Sequence, residues 1–337
     1  MSLPEVVPVS VVVVNRNGAD STVACVQSIQ RSKPRPVELV VVDNGSADGS
    51  LVALRGVGNV GVPCRIISLS ENRGPAAARN LGVSSTYGEI LAFVDNDAVV
   101  QEDWLEHAIA SMSAQGLDCV QCKLLFSANE PIIDSLGYLA GPFGFPRHLV
   151  RPGDLDNGQF DEDRELFGVK SAGMLVKRLA FTRAGGFDER FFIYGEETDL
   201  CWRMMRIGAR IGLSAKSIVY HRPGGSHRFF PVQARELLYR GGTRNYIRMV
   251  VKNTTNRRLL FDVSGQVIVW LGVAGYQACR GKWSAAKLIV RGITDAMAEL
   301  PSLLRDRRST TLPFVPTPRE LRMGLTPAYI WRTAKAV

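Results

Sequence analysis

Two aspartates one residue apart, Asp95 and Asp97, close the apolar run ILAFV within GEILAFVDNDAVV, residues 88–100. Carboxylates placed where a buried strand gives way to a loop suit a hard divalent cation such as Mg²⁺ or Mn²⁺, which takes one or two carboxylates together with phosphate oxygens. Aspartates are also ordinary turn formers, so the pair gains meaning only from its company. Two further groups supply candidates. Glu196 and Glu197 open the apparent helix of GEETDLCWRMMR, and His221 ends the run KSIVYH. Carboxylates at a helix N-terminus meet free N–H groups and the positive end of the dipole, so capping is the plain explanation of the glutamates. Asp199 and Arg203, four residues apart, form a structural pair on the same helix.

The elements that must position these groups are legible upstream. Residues 9–14 (VSVVVV) and 37–42 (VELVVV) are β-branched runs without alternation, as in strands covered on both faces of a parallel sheet. A helix must join them, capped at Asp20-Ser21, running to about Arg31 and ended by Pro34 and Pro36. A β-α-β opening predicts a doubly wound α/β sheet, with ligands beyond the carboxyl ends of its strands. Asn15 and Asn17 lie at the first such end, Asp43-Asn44-Gly45-Ser46 at the second, and Glu71-Asn72-Arg73-Gly74 at the third, ahead of PAAARNLGV. Asp43 could accept from a base or ribose, Gly45 and Gly74 allow close backbone approach, and Arg73 and Arg79 could face phosphate or a carboxylate. The chain is read as carrying neither a GxGxxG dinucleotide fingerprint nor a GxxxxGK[ST] P-loop, which argues against a dehydrogenase and a P-loop NTPase.

Further on, 102–113 reads as a helix and 118–126 as a strand. Cys119 and Cys122 have CxxC spacing without a second pair or histidines to complete a zinc site, so they are expected as buried thiols. From Ser127 to Arg164 the pattern dissolves into Gly, Pro and acidic residues, expected as a long covering loop whose DEDRE run is solvated.

The succession VSVVVVNRNG, ELVVVDNGSADGS, SLSENRGPAAARNLGV and GEILAFVDNDAVV resembles the family 2 glycosyltransferases, and the spacing from the acidic pair Glu196-Glu197 to His221 resembles their rhamnosyltransferase-like branch. The resemblance covers about residues 8–230. It implies a GT-A fold with a Rossmann-like nucleotide half and a nucleotide-diphosphate sugar as donor. Asp43 would then contact the nucleoside, and Asn15, Asn17, Asn72, Gly74, Arg79, Asp95 and Asn96 would complete the donor site. Asp95 and Asp97 would meet diphosphate and metal, Asp97 being the better direct ligand, with His221 completing the metal site. The second carboxylate of the acidic pair acts as general base in the family, which maps to Glu197; relatives commonly carry aspartate there, so Glu196 stays open. Direct attack opposite the diphosphate would invert the anomeric carbon. The implied donor is dTDP-rhamnose or a UDP-hexose, and the implied acceptor a hydroxyl of a lipid-linked or polysaccharide molecule. Gly224-Gly225-Ser226 could let a loop close over the diphosphate with Arg222 or Arg228 assisting; His227 has no assigned role.

Charge is uneven along the 337 residues: residues 231–337 hold 18 Lys and Arg against 6 Asp and Glu, whereas the first 230 hold 23 against 26. A basic tail calls for an anionic partner, membrane lipid before nucleic acid, because no recognition helix or aromatic-interleaved basic face is present. Residues 263–279 carry no charge and are flanked by Arg257, Arg258, Arg280 and Lys282, which fits an interfacial or re-entrant helix; a packed core helix is the alternative. The expected organisation is a GT-A domain over 1–230, with a nucleotide-sugar half (1–126) and an acceptor half (127–230), then a basic helical region over 231–337. MSLPEVVP lacks a basic n-region, so the protein is expected in the cytoplasm, peripheral to the inner membrane face. The other readings are a nucleotidyltransferase on sugar phosphates, for which Asn15-Arg16-Asn17-Gly18 is a poor basic Gly-rich loop, and a non-enzymatic binder of anionic surfaces.

Overall fold

Unalternating valines are stable only when both faces of a strand are covered, and both central strands meet that condition. In the computed structural model, which describes residues 6–57, 61–222, 235–313, 315, 317–318 and 321–322, β1 (Val6–Asn15) pairs in parallel with β2 (Arg35–Asn44). Val9, Val11 and Val13 pack on one side with Val26 and Ile29 of α1 (Ala19–Gln30), and Val12 packs on the other with Leu91 and Phe93. After α2 (Ser50–Arg55), β3 (Cys64–Leu69) extends the sheet beyond β2. Then α3 (Gly74–Ser84) carries the chain back to β4 (Ile90–Asp95), parallel to β1 on its other side.

The segment from Ala98 to His221 continues the same sheet. It contains β5 (Ala98–Val100), α4 (Trp104–Gln115), β6 (Cys119–Leu125), β7 (Ile133–Ser135), β8 (Tyr138–Ala140), β9 (Pro146–His148), β10 (Arg164–Glu165), β11 (Gly173–Lys177), α5 (Arg178–Arg183), α6 (Glu196–Arg206) and β12 (Ile211–His221). The path through the sheet is β10-β12-β6-β11-β4-β1-β2-β3, with β5 on β12 and β7 on β6. β11 runs against both neighbours, β4 and β6, while β6 and β12 are parallel. The carboxyl ends of β1, β2, β4, β6 and β12 therefore share one edge. This is an α/β fold of the GT-A kind, followed by α7 (Gly242–Asn253), α8 (Leu259–Cys279) and α9 (Trp283–Ser309). The three helices share a core around Ile247, Trp270, Val273, Ile289 and Ile293, and Met249 and Val250 of α7 pack on Phe167, Phe191 and Trp202 of the body.

Several expectations need correction. α1 starts before Asp20, its N-cap is Gly18 with no side-chain cap, and Thr22 Oγ1 donates to the Gly18 carbonyl at 2.7 Å. The helix expected over 102–113 is displaced to Trp104–Gln115. A GxGxxG spacing does exist, at Gly56–Gly61, but it leads into β3 instead of leaving a strand for a helix, so it is no dinucleotide fingerprint. The segment 127–164 is not a bare loop, since it holds β7, β8 and β9. Nor is its acidic run merely solvated. Lys123 of β6 has a buried ammonium, and an unpaired buried charge is prohibitive, so Asp156 and Asp161 fold over it at 2.6 and 2.8 Å. Asp163 accepts from the Ala215 amide at 2.7 Å, fastening the segment to β12. Cys119 and Cys122 are buried free thiols, as expected, with burial pushing both pKa values up.

Candidate active site

Strand pairing brings the first cluster together. β5 lies antiparallel to β12 with Ala98 opposite His221, and the Arg222 amide donates to the Asp97 carbonyl at 3.1 Å, so Asp97 is carried to the histidine. Asp95 arrives at the end of β4. One ligand atom from each of Asp95, Asp97 and His221 lies within 4.8 Å of the others, His221 Nε2 being 3.3 Å from Asp97 Oδ1 and 3.9 Å from Asp95 Oδ2.

His221 is buried, and its other nitrogen is fixed. Nδ1 lies 2.8 Å from Asp134 Oδ2, and Asp134 is itself paired with Lys170 at 2.8 Å. Burial works to lower the imidazole pKa, but the bonds to Asp134 and Asp97 and the charge of Asp95 outweigh it and raise it to about 9. The same bond, with Lys170, holds the buried Asp134 carboxyl below its ordinary value. Two carboxylates and an imidazole oriented by a carboxylate behind it form a donor set that fits Mg²⁺ or Mn²⁺, the nitrogen favouring Mn²⁺.

The acidic pair divides its work. Glu196 is buried at the start of α6 and accepts from Arg79 Nη1 at 3.0 Å, while Arg79 Nη2 reaches Asp95 at 3.1 Å. Burial and the adjacent Glu197 carboxylate push the Glu196 carboxyl above the usual range, and Arg79 pulls the other way. Glu197 is half-buried and accepts from Ser171 Oγ at 2.8 Å; Ser171 stands on the same sheet edge, just ahead of β11. Gly195 (φ 87°), with Tyr194 (φ 69°) and Phe192 (φ 61°) before it, turns the chain sharply into α6. Asn245 of α7 holds this turn, its Nδ2 lying 2.7, 2.9 and 3.0 Å from the carbonyls of Phe191, Ile193 and Tyr194. Asp199 is fully buried and bonded to Arg203, Lys252 and Asn253, a structural role.

The residues expected at the donor end bond chiefly to one another. Asn15 Nδ2 donates to Asp43 at 2.7 Å, and Asn15 Oδ1 accepts from Thr22 at 2.7 Å and from Asn96 at 3.1 Å. Asn17 Oδ1 accepts from the Ala47 amide at 2.8 Å. Asn72 Oδ1 accepts from Asn44 and from the Gly74 amide, both at 3.0 Å. Gly74 has φ 81°, and a Cβ there would stand 2.7 Å from the Phe192 ring. This polar network locks the ends of β1, β2 and β4 and the start of α3 into one rim. Arg79 is buried beneath that rim instead of lying on the helix surface.

Residues 10–165 match the family model described as glycosyl transferase family 2. Those residues carry a family 2 glycosyltransferase domain. The chain is 31% identical over 219 residues to the pre-mycofactocin glycosyltransferase of Mycobacterium tuberculosis, covering 63% of this chain and 42% of that protein. It is 30% identical over 158 residues to the O-antigen biosynthesis protein RfbC of Myxococcus xanthus, covering 45% of this chain and 12% of that one. The chain thus spans less than half the length of these curated relatives. Among solved structures, GalNAc-T7 with UDP, GalNAc and Mn²⁺ superposes with a TM-score of 0.58 at 15% identity over 92% of this chain and 59% of that chain. The mannosyltransferase PcManGT of Pyrobaculum calidifontis with GDP-Man and Mn²⁺ gives 0.53 at 16% over 90% of this chain and 87% of that chain. These likenesses are of fold.

The match of residues 10–165 favours the transferase reading over the nucleotidyltransferase and the purely non-enzymatic ones. Around the cluster, sequence reasoning missed Asp134, Lys170 and Ser171; Asp134 lay in the stretch read as covering loop. Gly224-Gly225-Ser226, His227 and Arg228 lie outside the described residues, and Arg222 is exposed. A cavity of about 540 Å³ lined by Asp188, Arg190, Arg203, Lys252, Asp306 and Arg307 is lined by none of Asp95, Asp97, Glu197 and His221.

Proposed function

We propose that this chain is a metal-dependent, inverting glycosyltransferase that moves a sugar from a nucleoside diphosphate to a hydroxyl of a lipid-linked or polysaccharide acceptor. The observation that carries the proposal is the Asp95–Asp97–His221 cluster on the same sheet edge as the half-buried Glu197. Asp95, Asp97 and His221 would hold a divalent cation, which supplies charge neutralisation to the departing diphosphate. Asp43, with the rim of asparagines around it, would seat the nucleoside. Glu197 would take the proton of the acceptor hydroxyl as the new bond forms, since a hydroxyl is a poor nucleophile until its proton has a destination. Glu196 is the poorer base, being buried against Arg79. Ser171 Oγ, within 3.5 Å of Asp95 and bonded to Glu197, holds the two sides of the site in register. Attack opposite the diphosphate inverts the anomeric carbon.

For the donor we favour dTDP-rhamnose or a UDP-hexose, with Mn²⁺ or Mg²⁺ serving. The catalytic body would extend to about residue 230, with the basic helices from 231 keeping it at the inner face of the membrane, where lipid-linked acceptors reside. The test is release of nucleoside diphosphate from a panel of sugar nucleotides with lipid-linked acceptors, and the anomeric configuration of the product by NMR. Turnover with a retained anomer, or none from any donor, contradicts the proposal.

A further inference from the structure

The membrane contact proposed above names no surface, and the C-terminal helices offer one. α8 is long and apolar enough to cross a bilayer, at roughly 30 Å by the rise of 1.5 Å per residue. Its inner side forbids that. Asp262, Gln266 and Gln277 are buried there; Gln266 Nε2 donates to the Phe143 carbonyl at 2.9 Å, and Thr254 and Arg258 bond Asp262. A Cβ at Gly265 would overlap the Phe143 ring, so the helix lies directly on the 142–144 turn of the catalytic body. Crossing a membrane would tear these contacts out and place their polar groups in hydrocarbon.

The outer side is different. Leu260 (81% exposed), Phe261 (60%), Ile268 (69%) and Leu271 (49%) are exposed at helical spacing, the other exposed positions between and after them on α8 being Ser264, Gly272, Gly275 and Cys279. A contiguous exposed apolar row on a helix that is otherwise packed marks a docking surface. Its ends are basic: exposed Arg257 on one side, exposed Arg280 and Lys282 on the other, with Trp283 (64% exposed) and Lys287 beginning α9. A second protein copy would bring the same positive charge to the same place, whereas an anionic bilayer complements it.

We infer that the row Leu260–Phe261–Ile268–Leu271 of α8 seats in the interfacial layer of an anionic bilayer, with Arg257, Arg280 and Lys282 on lipid headgroups and the helix axis parallel to the membrane. Through Phe143 and Gln266 the membrane-facing helix is fastened to the catalytic body, so the bilayer fixes how the site meets an acceptor carried in the same membrane.

The experiment is flotation of the full chain with vesicles of phosphatidylcholine alone or mixed with phosphatidylglycerol, without sugar nucleotide, so that it stands apart from the transferase proposal. Wild type is expected to float with the mixed vesicles and to release as salt rises. The double substitution Ile268→Glu with Leu271→Glu, both at exposed positions, should cut the bound fraction at least tenfold. Arg280→Glu with Lys282→Glu should remove the preference for anionic vesicles. Undiminished binding after Ile268→Glu with Leu271→Glu overturns the inference. So does failure of wild type to bind, or a wild-type dimer in solution that the same double substitution disperses.

Discussion

Asp134 Oδ2 and His221 Nδ1 lie 2.8 Å apart although 87 residues of chain separate them. Asp134 belongs to β7, which lies along β6; His221 ends β12, which lies along the other edge of β6. The bond fixes the imidazole so that Nε2 faces Asp95 and Asp97, and Lys170 keeps Asp134 charged. Asp134 therefore acts as a positioning residue for the candidate metal centre. Asp134→Asn should weaken Mn²⁺ binding by about 10–100-fold, the usual consequence of losing the group behind a metal-ligating histidine. Electron paramagnetic resonance titration of free Mn²⁺ reads this, and an unchanged affinity would leave Asp134 a purely structural residue.

The raised pKa of His221 sets the sign of two pH dependences. Its folded value, about 9, exceeds the ordinary 6.5. In the metal-free protein the stabilisation from the protonated ring is therefore fully present below about 6.5 and is lost as pH rises through about 9. Metal affinity runs the opposite way, because a cation on Nε2 must displace that proton, and it should rise about tenfold per pH unit up to about 9. Thermal melts with and without Mn²⁺ across this range check both slopes.

Arg79 is the tie between the two halves of the site, bonded to Asp95 on β4 and to Glu196 on α6. Arg79→Ala leaves the Glu196 carboxylate buried without its cation, which should cost about 3–5 kcal/mol of stability. Urea unfolding measures the loss. The companion Arg79→Lys keeps the charge but cannot span both carboxylates, so it should recover only part of the loss.

Glu197→Gln should lower kcat by about 10²–10⁴-fold while leaving donor binding near wild type, because the substitution keeps the shape and removes only the proton acceptor. Steady-state kinetics beside donor titration separates the two effects. Loss of donor affinity instead would move Glu197 to the donor side.

Asn245→Ala should destabilise by about 1–3 kcal/mol, since the carbonyls of Phe191, Ile193 and Tyr194 lose a shared donor. The turn holds Tyr194 and Gly195 at positive φ just before Glu196, so kcat should fall with the melting temperature. A variant with an unchanged melting temperature would show that the turn does not depend on α7.

The opening β-α-β unit and the metal candidates were legible because their signals are local. Apolar runs declare buried strands; Asp95 and His221 each end such a run, and Asp97 follows Asp95 two residues on. What stayed hidden depends on distant partners. Asp134 looks like one acidic residue among many in 127–164 until β7 pairs with β6. The acidic run looks solvated until Lys123 is found buried beneath it. Arg79 could equally have faced solvent, phosphate or carboxylate from its helix; only the packing of α3 under the rim puts it between Asp95 and Glu196. Likewise the uncharged run 263–279 shows no clean apolar stripe, and only the packing on Phe143 reveals which side of α8 is covered.

The most direct measurement is calorimetric titration of UDP, dTDP and GDP, each with and without Mn²⁺, into wild type and Asp97→Ala. Binding of one diphosphate that requires Mn²⁺ in wild type and is abolished in Asp97→Ala is the predicted result. Binding that ignores the metal, or that survives Asp97→Ala at full strength, would contradict a metal-bridged donor site at Asp95, Asp97 and His221.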